Sequence, residues 1–254
     1  EEIADLQAII SDPGRIKQII VSELELVKKK YAQPRRTEIV YEFQAAAEAE
    51  DAQDVPDYPV HVFCSREGYF KKITPQSLRM SGEQKYKEGD GPFLQWEASN
   101  RDELLVFTDR QQCYKARLSD FDDAKASVLG DYLPTKLGMD AEETFLWACI
   151  TADYSGHLLF FFQNGKAARV DLKAYQTTSN RRKLTGAYSD KAPLACIRRL
   201  DTDCELAVYS TEPRCLLFQT ALLSPKTTRT TQGVAVMNLK PRYHLEEVKT
   251  LGET

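Results

Sequence analysis

The sequence predicts a mainly β protein, a propeller-like array of about four small sheets preceded by two short amphipathic helices. Three observations predict it. Apolar spacing follows a helical period up to about residue 30 and an alternation of about two from Val60 onward. A hairpin-like unit recurs four times in the second part. The two parts are separated by an acidic stretch without a single Lys or Arg.

Ile3, Leu6, Ile9 and Ile10 follow i, i+3, i+4 spacing and mark the first helix. Ser11-Asp12-Pro13-Gly14 interrupts it. Asp12 can accept from free backbone N–H groups, and Pro13 suits a first helical position. Ile16, Ile19, Ile20, Leu24 and Val27 form the stripe of the second helix, and Lys28, Lys29 and Lys30 favour the negative pole at its end. Two such helices cannot bury a core alone, so their stripe is expected to pack on an upstream part or a partner chain. The chain does not start with Met, which suggests a fragment of something longer.

The whole chain carries a net charge of −4, but unevenly. Residues 1–57 hold 13 acidic and 7 basic side chains, and the remainder is net +2. Glu42, Glu48, Glu50, Asp51, Asp54 and Asp57 meet no cation, which suits a flexible linker. The expected organisation is a helical segment over 1–39, an acidic linker over 40–58 and the β array over 59–254.

The first hairpin unit is His61-Val62-Phe63-Cys64-Ser65-Arg66-Glu67-Gly68-Tyr69-Phe70-Lys71-Lys72. The others run over 105–115, 159–169 and 206–217. Their turn positions, Gly68, Gln111, Gly165 and Pro213, fall 43, 54 and 48 residues apart. Asn164-Gly165 is a strong two-residue hairpin signal, since both residues tolerate positive φ. Four positions after the turn stand Lys72, Lys115, Arg169 and then Leu217. A period of 40–50 residues with a hairpin in each copy indicates stacked blades; the alternative is a β-sandwich with coincidental spacing. No Gly-His…Trp-Asp pair occurs, which disfavours a WD40 array. Phe63, Phe107, Phe161, Val208, Trp147, Leu133 and Leu137 are the expected core, with Trp96 in the core or at a blade edge.

Chemistry-bearing patterns are sparse. No Gly-x-Gly-x-x-Gly and no phosphate-binding loop occurs. His61-x-x-Cys64 would place its two side chains on opposite faces of a strand, so we assign no metal site. Six Cys, none in a C-x-x-C pair and all but Cys204 in or beside apolar runs, suggest reduced and mostly buried thiols in a cytosolic protein. No run of 18 apolar residues exists.

Tyr31-Ala32-Gln33-Pro34-Arg35-Arg36-Thr37-Glu38-Ile39, preceded by Glu23-Leu24-Glu25-Leu26-Val27-Lys28, resembles one segment of the bacterial type IIA DNA topoisomerase A subunits. It is the segment that ends the breakage-reunion part, where a helix runs into Tyr/Phe-Gly-Asp-x-Arg-Arg-Thr-x-Ile. Ser65-x-x-Gly68-Tyr69-x-Lys71-Lys72 is similar to the first blade of that family's C-terminal β-pinwheel. The resemblance implies a DNA-binding, DNA-bending domain that presents DNA for strand passage in an ATP-dependent isomerase of cytoplasmic, nucleoid-associated habit. It also implies a homodimer of A subunits, an ATPase B subunit that holds ATP and Mg, and a catalytic tyrosine outside this segment. None of the 12 tyrosines stands in a nucleophile's setting, so no catalytic residue is assigned. A gyrase-type Gln-Arg-Arg-Gly-Gly-Lys-Gly box is missing: residues 79–91 keep glycines, Lys85 and Lys87 but not the Arg-Arg-Gly-Gly core. With four units instead of six, this favours a topoisomerase IV-like or divergent relative.

On this reading DNA contact falls to cations on the blade rims, because a bent duplex offers dense phosphate charge. The candidates are Lys71, Lys72, Lys85, Lys87, Arg110, Lys115, Arg117, Lys166, Arg169, Arg181, Arg182, Lys183, Lys226 and Arg229. The recurrent Lys72, Lys115 and Arg169 are expected to form an exposed curved row, and Arg181-Arg182-Lys183 the densest cluster. Arg198-Arg199 suits a structural ion pair with Asp201 or Asp203 equally well. A blade array that binds protein instead of DNA is the alternative.

Overall fold

A computed structural model describes residues 2–33, 55–177 and 182–251, and the chain divides into two compact units, Glu1–Ala46 and Ala47–Thr254. Most of the expected linker, and the motif from Pro34 to Ile39, lie outside the described residues.

The first unit holds α1 (Glu2–Ser11) and α2 (Pro13–Tyr31). Asp12 caps α2 by accepting from the Gly14 backbone N–H at 2.8 Å, and Pro13 opens the helix as its fixed φ favours. The lysines at 28–30 fill the last turn. Ile3, Leu6, Ile10, Ile16, Ile19, Ile20, Leu24 and Val27 stay exposed, and no residue of α2 is buried.

The second unit is four small antiparallel sheets. Each begins with one of the repeated hairpins: β1 (Pro59–Ser65) with β2 (Tyr69–Ile73), β4 (Glu103–Thr108) with β5 (Gln112–Arg117), β8 (His157–Phe162) with β9 (Lys166–Asp171), and β12 (Glu205–Ser210) with β13 (Cys215–Gln219). Three of the turns need positive φ, at Gly68 (88°), Gln111 (54°) and Gly165 (78°). Pro213 cannot adopt it, so the fourth turn differs. A third strand then pairs back on the first strand of each hairpin: β3 (Pro92–Ser99), β7 (Phe145–Thr151), β11 (Leu194–Leu200) and β15 (Leu245–Thr250). All four of these pairings carry a register shift. Two short helices, α3 (Pro75–Arg79) and α4 (Leu133–Lys136), interrupt the connections.

A fourth strand comes from the next repeat. β6 (Asp131–Tyr132), which follows the second hairpin, pairs with β2 of the first sheet. β10 (Lys183–Thr185) returns to β5, and β14 (Val234–Ala235) returns to β9. The sheet orders are therefore β3-β1-β2-β6, β10-β5-β4-β7, β11-β8-β9-β14 and, with three strands among the described residues, β13-β12-β15. Two of these straps follow a glycine, Gly130 or Gly233, at positive φ. A Cβ there would run into the Phe70 or Ala167 carbonyl oxygen.

The sheets stack face to face, which explains why their first strands are apolar without alternation. Leu104 and Val106 of β4 pack with Val60, Val62 and Phe70 of the first sheet. Leu105 and Phe107, on the other face of β4, pack with Leu158, Phe160 and Phe162 of β8. Leu159 and Phe161 then meet Leu206, Val208 and Val248 of the last sheet. The expected core residues lie in these layers, with Trp147, Leu137 and Trp96 partly buried at their margins, except Phe63: it alternates with Val62, so it turns to the other face of the first sheet and packs with Ile73, Ala126 and Leu78 instead of between sheets. The thiols depart from expectation. Only Cys64, Cys113 and Cys149 are buried, Cys196 and Cys204 are half-buried, and Cys215 on β13 is exposed. No helix among the described residues is long and apolar enough to cross a membrane.

Candidate nucleic-acid interface

The recurrent cations share one structural position but not the expected surface. Lys72, Lys115 and Arg169 lie opposite Val62, Leu105 and Leu159 in their hairpins, so the repeat aligns them as the sequence indicated. Their side chains point inward. Lys72 is 3% exposed, Lys115 9%, and the Arg169 side chain 11%. Lys72 Nζ donates to Asn100 Oδ1 at 2.6 Å and lies 3.3 Å from Asp123. Lys115 Nζ is 3.3 Å from Glu103, donates to Thr177 Oγ1 at 3.1 Å and stands 5.1 Å over the Tyr154 ring. Arg169 donates to Asp203 at 2.8 Å and to the Thr220 carbonyl at 3.3 Å.

Asn100, Tyr154 and Asp203 occupy the turns that lead into the first strand of the next sheet. Each cation thus ties its own sheet to the entrance of the following one. A buried cation is retained only if a partner offsets its lost hydration, and these turns supply one each time. The exposed curved row expected from the sequence is therefore not present; the repeated charge is a device between sheets.

Other candidates are also engaged with protein partners. Lys71 is buried, donates to the carbonyls of Lys85 and Ala126, and loses hydration, which pushes its pKa down. Arg229 donates to the Ala174 carbonyl at 2.9 Å and faces the Tyr175 ring at 5.9 Å. Lys183 pairs with Asp140 at 2.8 Å and Glu143 at 3.3 Å; the hydrogen bond to Asp140 above all raises its pKa. Arg199 pairs with Asp201 at 2.8 Å and reaches the Ile150 carbonyl. At the surface, Lys87 is bound to Glu67 at 2.7 Å, which raises its pKa, and Arg110 sits 3.5 Å from Glu142. Arg181 lies outside the described residues.

What remains is a smaller set. Lys85, Arg182 and Lys226 are exposed, and Arg117 and Lys166 are half-exposed. None of the five forms an ion pair with a described acidic residue. Arg182 borders a cleft of about 280 Å³ lined also by Lys115, Ala116, Asp120, Phe121, Lys136 and Leu137. Three cations face one carboxylate there. Lys136 is held only loosely, 3.9 Å from Asp131. Sequence reasoning missed Lys136 because it sits in α4, within the irregular part of the repeat, where no equivalent cation recurs.

No protein-family model matches the chain. Among curated proteins, it is 26% identical over 187 residues to the A subunit of DNA topoisomerase 4 from Bacillus subtilis, covering 69% of this chain and 22% of that protein. It is 24% identical over 243 residues to the A subunit of DNA topoisomerase 4 from Staphylococcus aureus, covering 94% and 30%. To the A subunit of DNA gyrase from Helicobacter pylori it is 26% identical over 185 residues, covering 69% and 22%. The resemblance to type IIA topoisomerase A subunits read from the sequence holds. The chain spans between 22% and 30% of the length of these relatives. Its fold matches the C-terminal domain of DNA topoisomerase IV with a TM-score of 0.68 at 22% identity, covering 78% of this chain and 62% of that one. The Escherichia coli ParC C-terminal domain matches with a TM-score of 0.60 at 15% identity, covering 76% and 79%. The sheet array is thus a β-pinwheel of four blades.

Proposed function

We propose that this chain is the C-terminal part of a type IIA topoisomerase A subunit, topoisomerase IV-like or a divergent gyrase, that binds and bends duplex DNA and presents it for ATP-dependent strand passage. The observation that carries this reading is the match of fold to pinwheel domains together with sequence likeness to A subunits over 69% to 94% of the chain. The DNA-contacting cations on this reading are Arg182, Lys136, Lys85, Lys166, Lys226 and Arg117, the ones left uncommitted or loosely held. The holoenzyme reading adds a homodimer of A subunits and an ATPase B subunit that carries ATP and Mg. A protein-binding array is the second reading, favoured by the number of cations that the fold turns inward.

A mobility-shift titration with a duplex of about 40 base pairs, repeated over a salt series, tests it. Binding should weaken steeply with salt. Arg182→Ala together with Lys136→Ala should weaken it uniformly across sequences and lower the log–log salt slope by about 2, about 1 for each lost phosphate contact. No binding at low salt, or binding indifferent to salt, selects the protein-binding reading.

A further inference from the structure

The repeat shows what each position beside a hairpin turn requires. Tyr69 pairs with Tyr132, and the same register holds Gln112 with Thr185 in the second sheet and Lys166 with Ala235 in the third. In the strand that pairs back on each hairpin, the ladder skips one residue near the turn. It is Phe93 in the first sheet, then Leu146, Ala195 and Glu246. The other sheets form equivalent ladders with no aromatic residue at these places. The three rings of the first sheet therefore answer no demand of the fold.

The rings are contiguous. Tyr69 and Tyr132 have centroids 5.0 Å apart, tilted by 38°. Phe93 meets Phe145 edge to face at 6.2 Å. Between the two pairs lies the Gly68 turn, where a Cβ would stand 3.2 Å from Phe145 Cγ. Tyr132 is 43% exposed and Phe93 37%, while Tyr69 and Phe145 are half-buried. Cations bracket the group. Exposed Arg66 stands 5.8 Å over the Phe93 ring. Exposed Lys87, joined to Glu67 at 2.7 Å, interacts electrostatically with both tyrosines. Rings gathered at a surface that the fold does not require them to cover mark a contact site.

We propose that the turn end of the first blade is a seat for an unpaired DNA strand, whose bases stack on Tyr132 and Phe93 while Arg66 and Lys87 contact its phosphates. Flat π surfaces strung along a chain of negative charge are the ligand chemistry that exposed rings flanked by cations fit. A duplex keeps its base faces inside its own stack and gains nothing from the rings. The seat is therefore distinct from the phosphate contacts assigned to Arg182 and Lys136. This goes beyond the duplex-binding reading and does not rest on it.

The test is fluorescence anisotropy of a labelled oligothymidine of about 12 nucleotides, titrated with the 254-residue chain at low salt. The variant gives the first sheet what the second sheet carries at the same places: Tyr69→Gln, Tyr132→Thr and Phe93→Leu. Its melting temperature should match the parent's, because the second sheet folds with those residues. Affinity for the oligothymidine should fall by about tenfold or more, the scale of losing a stacked base, with affinity for duplex DNA unchanged. Arg182→Ala with Lys136→Ala should do the reverse. If the triple variant melts lower, Phe93→Leu alone, at an exposed site, is expected to weaken oligothymidine binding by about fivefold. Oligothymidine binding that is absent, or as strong in the ring variants as in the parent, overturns the proposal. Equal loss of oligothymidine and duplex binding in the ring variants also overturns it, because the rings then serve the duplex surface. Loss of oligothymidine binding alone, in a chain that binds no duplex, sinks the duplex reading and leaves this one standing.

Discussion

At the residue scale, the recurrent cation shows how one sequence signal can carry a structural meaning. Removing one partner of a buried, hydrogen-bonded charge pair typically costs about 3 kcal/mol. Lys115→Ala leaves Glu103 and Thr177 without their cation, and a loss of about that size is expected in urea unfolding. The same substitution is expected to leave the salt slope of DNA binding unchanged, which separates a stabilising cation from a phosphate contact. The buried thiols contribute to alkaline stability. Burial raises Cys64 and Cys149 from the ordinary 9.0 to about 12. Between those values the unfolded chain loses the thiol protons while the folded chain keeps them. Their contribution is therefore full below pH 9 and is lost as pH rises toward 12, at up to about 1.4 kcal/mol per pH unit for each thiol. Cys149→Ala is expected to make the fall above pH 9 shallower in a pH series of urea midpoints.

At the scale of elements, the hairpins and the helix start were legible in the sequence and the straps were not. Asn164-Gly165 and Asp12-Pro13 carry local chemistry that fixes the backbone before any tertiary contact forms. β6 and β14 are two residues long and β10 three, so they show no periodicity; they are strands only because an edge waits for them. Gly233→Ala tests how much a strap contributes. A side chain at φ 72° is strained, and its Cβ meets the backbone of Ala167. A loss of about 2 kcal/mol or more is expected from the backbone strain and the displaced strap. Hydrogen exchange should rise first at Lys166–Ala167, the residues paired with β14; a uniform rise over all sheets would mean that the strap does not act locally.

At the scale of the second unit, stability depends on neighbours. Each inner sheet buries both faces, so no sheet is complete alone. Truncation after Leu200 would remove β12 to β15, take the β14 strap from β9 and expose Leu159 and Phe161. Such a chain is expected to aggregate, as measured by light scattering, whereas the intact chain remains dispersed under the same conditions.

The sequence alone determined the number of hairpins, their turns, the apolar layers and the two helices with the Asp12 cap between them, because each depends on residues close together in the chain. Tertiary structure alone decided which cations face solvent and where the exchanged strands lie. Those depend on what a neighbouring sheet places opposite a side chain. Asn100 draws Lys72 inward from 28 residues away and Asp203 draws Arg169 from 34, while Glu103 reaches Lys115 across a hairpin, and no local pattern encodes that pairing.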